Sequence, residues 1–172
     1  ADLAHIESDY RIYLSTCPRR KYPRGTRTYK NLKIGFQGES MANRRYLYYA
    51  RLAREKGLNE LAEVFEKTAN AETGHAFGHL MFLGVDPVAE IEVNDVEDAL
   101  RAAIYGETYE WTQMYPGFAR VAREEGFHEV AQWFEALAKV ERFHAGRFNE
   151  ALDRYLKSKG VGTEVEDEVL VK

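Results

Sequence analysis

Most of this chain carries its apolar and polar positions in a helical rhythm. Leu32, Phe36, Glu39, Asn43, Tyr46, Ala50 and Ala53 recur at spacings of 4, 3, 4, 3, 4 and 3 residues. Leu61, Phe65, Thr68, Glu72, His75, His79 and Phe82 repeat that order, as do Val130, Phe134, Leu137, Glu141, His144, Phe148 and Ala151. Such spacing keeps side chains on one stripe of a helix, the seam that faces the interior of a bundle. Leu100, Ala103, Glu107, Glu110, Met114, Phe118 and Val121 form a fourth stripe with one 4, 4 step, beside Pro116 and Gly117. A π-bulge or kink is expected there. The pattern predicts an all-α chain, a four-helix bundle with helices near 30–60, 59–83, 96–125 and 128–158.

The four helices are two copies of one helix pair. Ala50-Arg-Leu-Ala-Arg-Glu-Lys-Gly57 matches Ala119-Arg-Val-Ala-Arg-Glu-Glu-Gly126 at an offset of 69 residues. The offset persists through Phe65 and Phe134, Glu72 and Glu141, and His75 and His144. Upstream, Gly38-Glu39 meets Gly106-Glu107 at an offset of 68, so the second copy carries one extra residue between Glu107 and Ala119. Gly57 and Gly126 mark the turn inside each pair, as a glycine just past a helix end does. Residues 84–95 form a long crossover linker between the pairs. Residues 1–24 read as an extension with a short helix around His5–Leu14, residues 25–158 as the bundle, and residues 159–172 as an acidic tail.

Composition narrows the function classes. The 172 residues are 45% apolar with a formal net charge of −4, so the balance points to neither nucleic acid nor an anionic membrane. The basic stretch Arg19, Arg20, Lys21, Arg24 and Arg27 reads as a solvated arm rather than an RNA- or phosphate-binding one. No apolar run approaches the ~18 residues of a membrane span, and no signal segment opens the chain. A cytoplasmic location is expected. Cys17 is the single cysteine. It excludes an intrachain disulfide and a tetrathiolate metal module within this sequence, and it reads as an inert arm residue.

The seams also carry charge. Glu39, Glu72, Glu107, Glu110 and Glu141 lie on them with His75 and His144. Five carboxylates taken out of water together would repel one another at a cost of several kcal/mol per ion, so cations are expected among them. Residues at i and i+3 share a helix face, so Glu72-x-x-His75 and Glu141-x-x-His144 can each offer an oxygen and a nitrogen to one metal. Two such motifs plus a glutamate from each remaining helix make the ligand set of bundle di-metal carboxylate proteins. Oxygen donors with one imidazole per metal favour iron, with manganese or mixed occupancy as the alternative. His79 reads as a hydrogen-bonded core histidine rather than a further ligand. Tyr46 and Tyr115 fall near the carboxylates, where orienting hydrogen bonds and plain packing weigh equally. Trp111, Tyr109 and Trp133 read as core filling rather than as an electron path.

These residues resemble the rubrerythrin family. The resemblance rests on Gly38-Glu-Ser-Met-Ala-Asn-Arg-Arg-Tyr46, Glu72-Thr-Gly-His-Ala-Phe-Gly-His79, Gly106-Glu-Thr-Tyr-Glu-Trp-Thr-Gln-Met-Tyr-Pro-Gly-Phe118 and Glu141-Arg-Phe-His144, in that order, and covers about residues 25–157. It is nearest to short, sulerythrin-like members without a rubredoxin module. It implies a ferritin-like bundle with a di-iron centre that reduces hydrogen peroxide. Glu39, Glu72, Glu107 and Glu141 would bind the metals, Glu72 and Glu141 as bridges, and His144 would bind one iron. His75 and Glu110 would exchange on the other iron as its oxidation state changes.

The function expected is therefore peroxide reduction with electrons from an external donor protein, rubredoxin-like or a reductase. Ferroxidase or iron handling is the alternative, followed by an O₂-activating oxidase. A purely structural metal module would explain both Glu-x-x-His motifs but not Glu110. If the second and third helices run parallel, twelve linker residues spanning at most ~40 Å must cross a helix length of ~36 Å. A homodimer that swaps helix pairs would relieve that nearly taut crossing.

Overall fold

The computed structural model describes residues 24–160. The short helix expected around His5–Leu14, Cys17 and most of the acidic tail lie outside the described residues. Those described are helical apart from turns and the linker. Helix α1 is Arg27–Glu55, α2 Asn59–Leu83, α3 Val96–Tyr109, α4 Tyr115–Glu124 and α5 His128–Ser158, with a π-helical turn at Glu110–Met114 joining α3 to α4. The chain divides into two compact units between Pro87 and Val88, inside the crossover linker. The N-terminal unit holds the pair α1–α2; the C-terminal unit holds α3, α4 and α5.

The helix ends have local causes. Thr26 caps α1 by accepting from the Tyr29 N–H at 3.1 Å. Asp95 caps α3 by accepting from the Asp98 N–H at 3.0 Å. Such caps satisfy amides that have no partner inside the helix. The two hairpin turns are built alike. Leu58 N–H donates to Ala53 O at 2.9 Å and Gly57 N–H to Arg54 O at 2.9 Å, while Phe127 N–H donates to Ala122 O at 2.8 Å and Gly126 N–H to Arg123 O at 3.1 Å. This double bond closes a helix through a left-handed residue; Gly57 has φ 73° and Gly126 φ 85°.

Alanines let the paired helices approach. Ala50, Ala53, Ala62, Ala69 and Ala76 are buried in the first pair, and Ala119, Ala122, Ala131 and Ala145 in the second, all at repeat-related positions. The same arginine–glutamate bridge spans each hairpin: Arg54 to Glu66 at 2.7 Å and Arg123 to Glu135 at 2.6 Å. Around these narrow alanine layers large apolar side chains stay open, among them Ile34, Met41 and Phe77 on the first pair and Phe143 on the second. Trp133 is 61% exposed and Tyr109 47%, so the core-filling role read for them does not hold. Two helices make one layer, and a side chain outside the alanine line finds no opposing wall within its own pair.

The irregularity of the third stripe lies a little earlier than Pro116–Gly117. Tyr115 N–H donates to Glu110 O, five residues back, which closes a π turn over Glu110–Met114. A π turn holds one residue more than an α turn, which absorbs the extra residue of the second copy. Pro116 has no amide hydrogen to give the standard bond, so the wider turn is completed just before it.

Substituting Gly57 by Ala should lower stability by about 1 kcal/mol, the cost of a left-handed L-residue. No atom lies within 4 Å of a Cβ there, so only backbone strain is added. Gly146 has the same open space inside α5 without a positive φ, and Gly146→Ala should stabilise by up to about 1 kcal/mol. Urea midpoints moving in opposite directions for the two variants are the expected result.

Candidate metal centre

Each unit gathers one triad. In the first, Glu39 from α1 meets Glu72 and His75 from α2; in the second, Glu107 from α3 meets Glu141 and His144 from α5. Within each triad one ligand atom per residue lies within 4.8 Å of the others. The i, i+3 spacing sets the short contact: His75 Nδ1 is 2.8 Å from Glu72 Oε2, and His144 Nδ1 is 2.7 Å from Glu141 Oε2. The helix-to-helix contact is longer, 3.7 Å from His75 Nδ1 to Glu39 Oε1 and 3.6 Å from His144 Nδ1 to Glu107 Oε2.

The carboxylates sit half-buried rather than fully buried. Glu141 is the most enclosed, with 12% of its side chain exposed, while the His75 side chain is 49% exposed. Within each pair the carboxylates are half-buried where the seam pattern pointed to burial, because two helices by themselves leave one side of a seam uncovered. Enclosure is still enough to disturb the charges. Burial, then a hydrogen bond with Glu141, then repulsion from Glu141 push Glu107 up to about 7. Burial and the neighbouring Glu72 raise Glu39, with His75 opposing. Burial and the Glu141 charge raise Glu110, with His144 opposing.

The donor set fits hard cations. Glu107 Oε2 is buried with no hydrogen-bond partner, although a carboxylate oxygen so placed costs free energy unless something positive meets it. Its surroundings are two carboxylates and an imidazole, the oxygen-rich mixture that suits iron or manganese. A cavity of about 450 Å³ opens beside this triad, lined by Glu107, His144, Arg147, Phe148 and Arg154.

The remaining candidates divide. Glu110, the first residue of the π turn, lies close enough to Glu141 and His144 to feel both charges. In the register that pairs Glu39 with Glu107, its counterpart in the first copy is Ala42, so the fifth carboxylate belongs to one pair only. Tyr115 stacks on Phe134 at 6.1 Å, and its hydroxyl is raised by burial and then by Glu110, Glu141 and Glu107. Tyr46, its repeat counterpart, packs against Phe65 at 6.3 Å. His79 has no hydrogen-bond partner among the described residues; its ring lies across Gly35, where a Cβ would come within 2.8 Å of Nε2. Gly35 was invisible to seam reading because a missing side chain has no place in a hydrophobic pattern. The sequence reading also missed the contact of Arg142 with Trp111, the guanidinium carbon lying 5.4 Å from the ring centroid. The adjacency of each to a ligand glutamate was the available signal.

The Rubrerythrin family model matches residues 30–152. This chain belongs to the rubrerythrin family. It is 40% identical over 131 residues to rubrerythrin of Nitratidesulfovibrio vulgaris, covering 73% of this chain and 69% of that protein. Nigerythrin of the same organism is 34% identical over 128 residues, covering 70% of this chain and 63% of that one. Symerythrin of Cyanophora paradoxa is 30% identical over 139 residues, covering 65% and 74%. A solved structure of fully reduced, all-ferrous nigerythrin aligns with 82% of this chain and 76% of its own, at 29% identity and a TM-score of 0.37. The all-α, ferritin-like class expected from the sequence stands with membership of this rubrerythrin family. Among the described residues no helix is long and apolar enough to cross a membrane.

Elemental analysis of the purified chain should find about two metal ions per chain, the number that two Glu-x-x-His motifs with two further glutamates hold. The double variant Glu72→Ala/Glu141→Ala should lose both. Undiminished metal content in that variant would remove these residues from the site.

Proposed function

We propose that this rubrerythrin-family chain is a non-haem di-iron peroxidase that reduces hydrogen peroxide to water with electrons from an external donor protein. Glu39, Glu72, Glu107, Glu141 and His144 would hold the metals, and His75 and Glu110 would serve as the alternating ligands. When bound, the iron pair supplies the two electrons that cleavage of the O–O bond requires. The observation that carries the reading is Glu110, a half-buried carboxylate beside a complete Glu–Glu–His triad, present in one repeat only. Glu110 offers an anionic donor that suits the more highly charged oxidised pair, whereas neutral His75 suits the reduced pair. A structural metal site gains nothing from such an alternative. The cavity beside Glu107 and His144 gives a small oxidant a way in. Tyr115, whose hydroxyl is raised by burial and by Glu110 and Glu141, would serve as a hydrogen-bond donor at that site, with Tyr46 its counterpart in the other pair. Solvent provides the two protons that complete the water molecules.

The same chain is proposed to act as a homodimer that exchanges helix pairs, in the cytoplasm. The open apolar side chains of each pair, such as Phe77 and Phe143, need an opposing layer, and the twelve-residue linker permits exchange.

Stopped-flow mixing of the reduced, iron-loaded protein should show stoichiometric oxidation by H₂O₂ much faster than by air-level O₂. Glu110→Ala should keep its iron yet slow that oxidation, or the return to the reduced state, by about tenfold or more, as for loss of a group used during the reaction. Faster oxidation by O₂, or turnover of excess Fe(II) into mineral, would put the ferroxidase reading in its place. Light scattering after gel filtration should give the mass of two chains; a metal-loaded monomer would exclude the exchanged dimer.

A further inference from the structure

The two repeats differ on one face of the helix pair, where the second copy carries an aromatic ring and positive charge that the first lacks. In the N-terminal pair Asn43 donates to Ala69 O at 2.7 Å and to Thr73 Oγ1 at 3.1 Å, tying α1 to α2. The corresponding positions of the C-terminal pair are Trp111 and Arg142, and Lys139 stands where the first copy has Asn70. The second copy therefore gains an indole and two positive charges at one place. They line a cavity of about 660 Å³ together with Arg120 and Arg123.

Charge there is unbalanced. Arg120 pairs with Glu124 at 2.9 Å and Arg123 with Glu135 at 2.6 Å. Lys139 and Arg142 have no carboxylate partner among the described residues, so the groove keeps two positive charges on a chain of net charge −4. Arg142 lies over the Trp111 ring, which holds a cation and a π-system side by side. The charged lining marks this as a solvent-facing groove, while its floor includes Ala119 and Ala138.

The groove also adjoins the metal centre through the backbone. Trp111 follows Glu110, and Arg142 follows Glu141. Successive residues on a helix point about a quarter-turn apart, so two carboxylates of the site and two residues of the groove share the same turns.

We propose that this groove is the docking site of the external electron donor, a small acidic one-electron carrier protein, and that Trp111 is the conduit from it to the centre. The proposal rests on the peroxidase reading. Lys139 and Arg142 steer and hold the carrier's acidic face, as complementary charge does at transient interfaces. Reduction of one H₂O₂ to two waters takes two electrons and two protons, so two reduced carriers dock in turn. Each leaves oxidised by one electron, the protons come from solvent, and Trp111 ends unchanged.

The test uses the full iron-loaded chain and, as probe, a rubredoxin of net negative charge, with Kd measured by calorimetry. Lys139→Glu/Arg142→Glu should weaken binding about tenfold or more at low salt, and the difference should fade at high salt. Lys30→Glu/Lys67→Glu changes net charge equally on the exposed surface of the other pair and should shift Kd less than twofold. Trp111→Leu should slow reduction of the iron by saturating probe about tenfold, with Kd within threefold, and Trp111→Phe should restore part of the rate. Equal weakening by both charge-reversal variants, or none by either, overturns the docking site; an unchanged rate in Trp111→Leu overturns the conduit. Oxidation of chemically reduced wild-type protein by H₂O₂ needs no donor, so failure of the peroxidase reading is seen separately.

Discussion

Repulsion among carboxylates is the constraint around which this molecule is organised. Burial first, then the hydrogen bond and charge of Glu141, push Glu107 up to about 7, and burial with the neighbouring Glu72 raises Glu39. Nothing in a helix pair by itself neutralises them. Each imidazole already lies against the glutamate three residues before it. A fold that keeps such a cluster on a seam gives up stability unless cations arrive. The rest of the architecture serves that cluster: alanine layers bring the helices near enough for a glutamate on one to reach a Glu–His pair on the next, and caps and hairpin turns hold their register.

Duplication supplies the two triads, and divergence between the copies supplies the asymmetry that chemistry needs. The triads match residue for residue, as do the hairpin turns and the arginine–glutamate bridges beside them. The copies part in the π turn. Glu110 stands beside the second triad where the first copy has Ala42, and Trp111 stands beside Arg142 where it has Asn43. A symmetric site would hold two metals in the same way. An additional carboxylate stands beside one triad only, and the groove lined by Trp111 and Arg142 lies next to it along the chain.

Much of the site was legible because its geometry is local. An i, i+3 pair on a helix has one spacing whatever surrounds it, so Glu72 with His75 and Glu141 with His144 could be read from the stripe, and the glutamates of the other helices from the repeat. The π turn was legible as a register change within the Glu110–Phe118 step, though not which residues close it. A 4, 4 step shows that a residue has been inserted, while the bond that absorbs it depends on which carbonyl the amide of Tyr115 finds.

The amino-acid sequence by itself determined the helical class, the two-pair repeat, both hairpin turns and the two Glu-x-x-His pairs, since all of these follow from periodicity along one chain. Tertiary structure decided what depends on distance between helices. It left the carboxylates half-buried rather than buried, left Trp133 and Tyr109 in the open, laid His79 across Gly35 and set Arg142 over Trp111. Periodicity gives the direction in which a side chain points, but enclosure and contact depend on what stands opposite, and that comes only from how the helices pack.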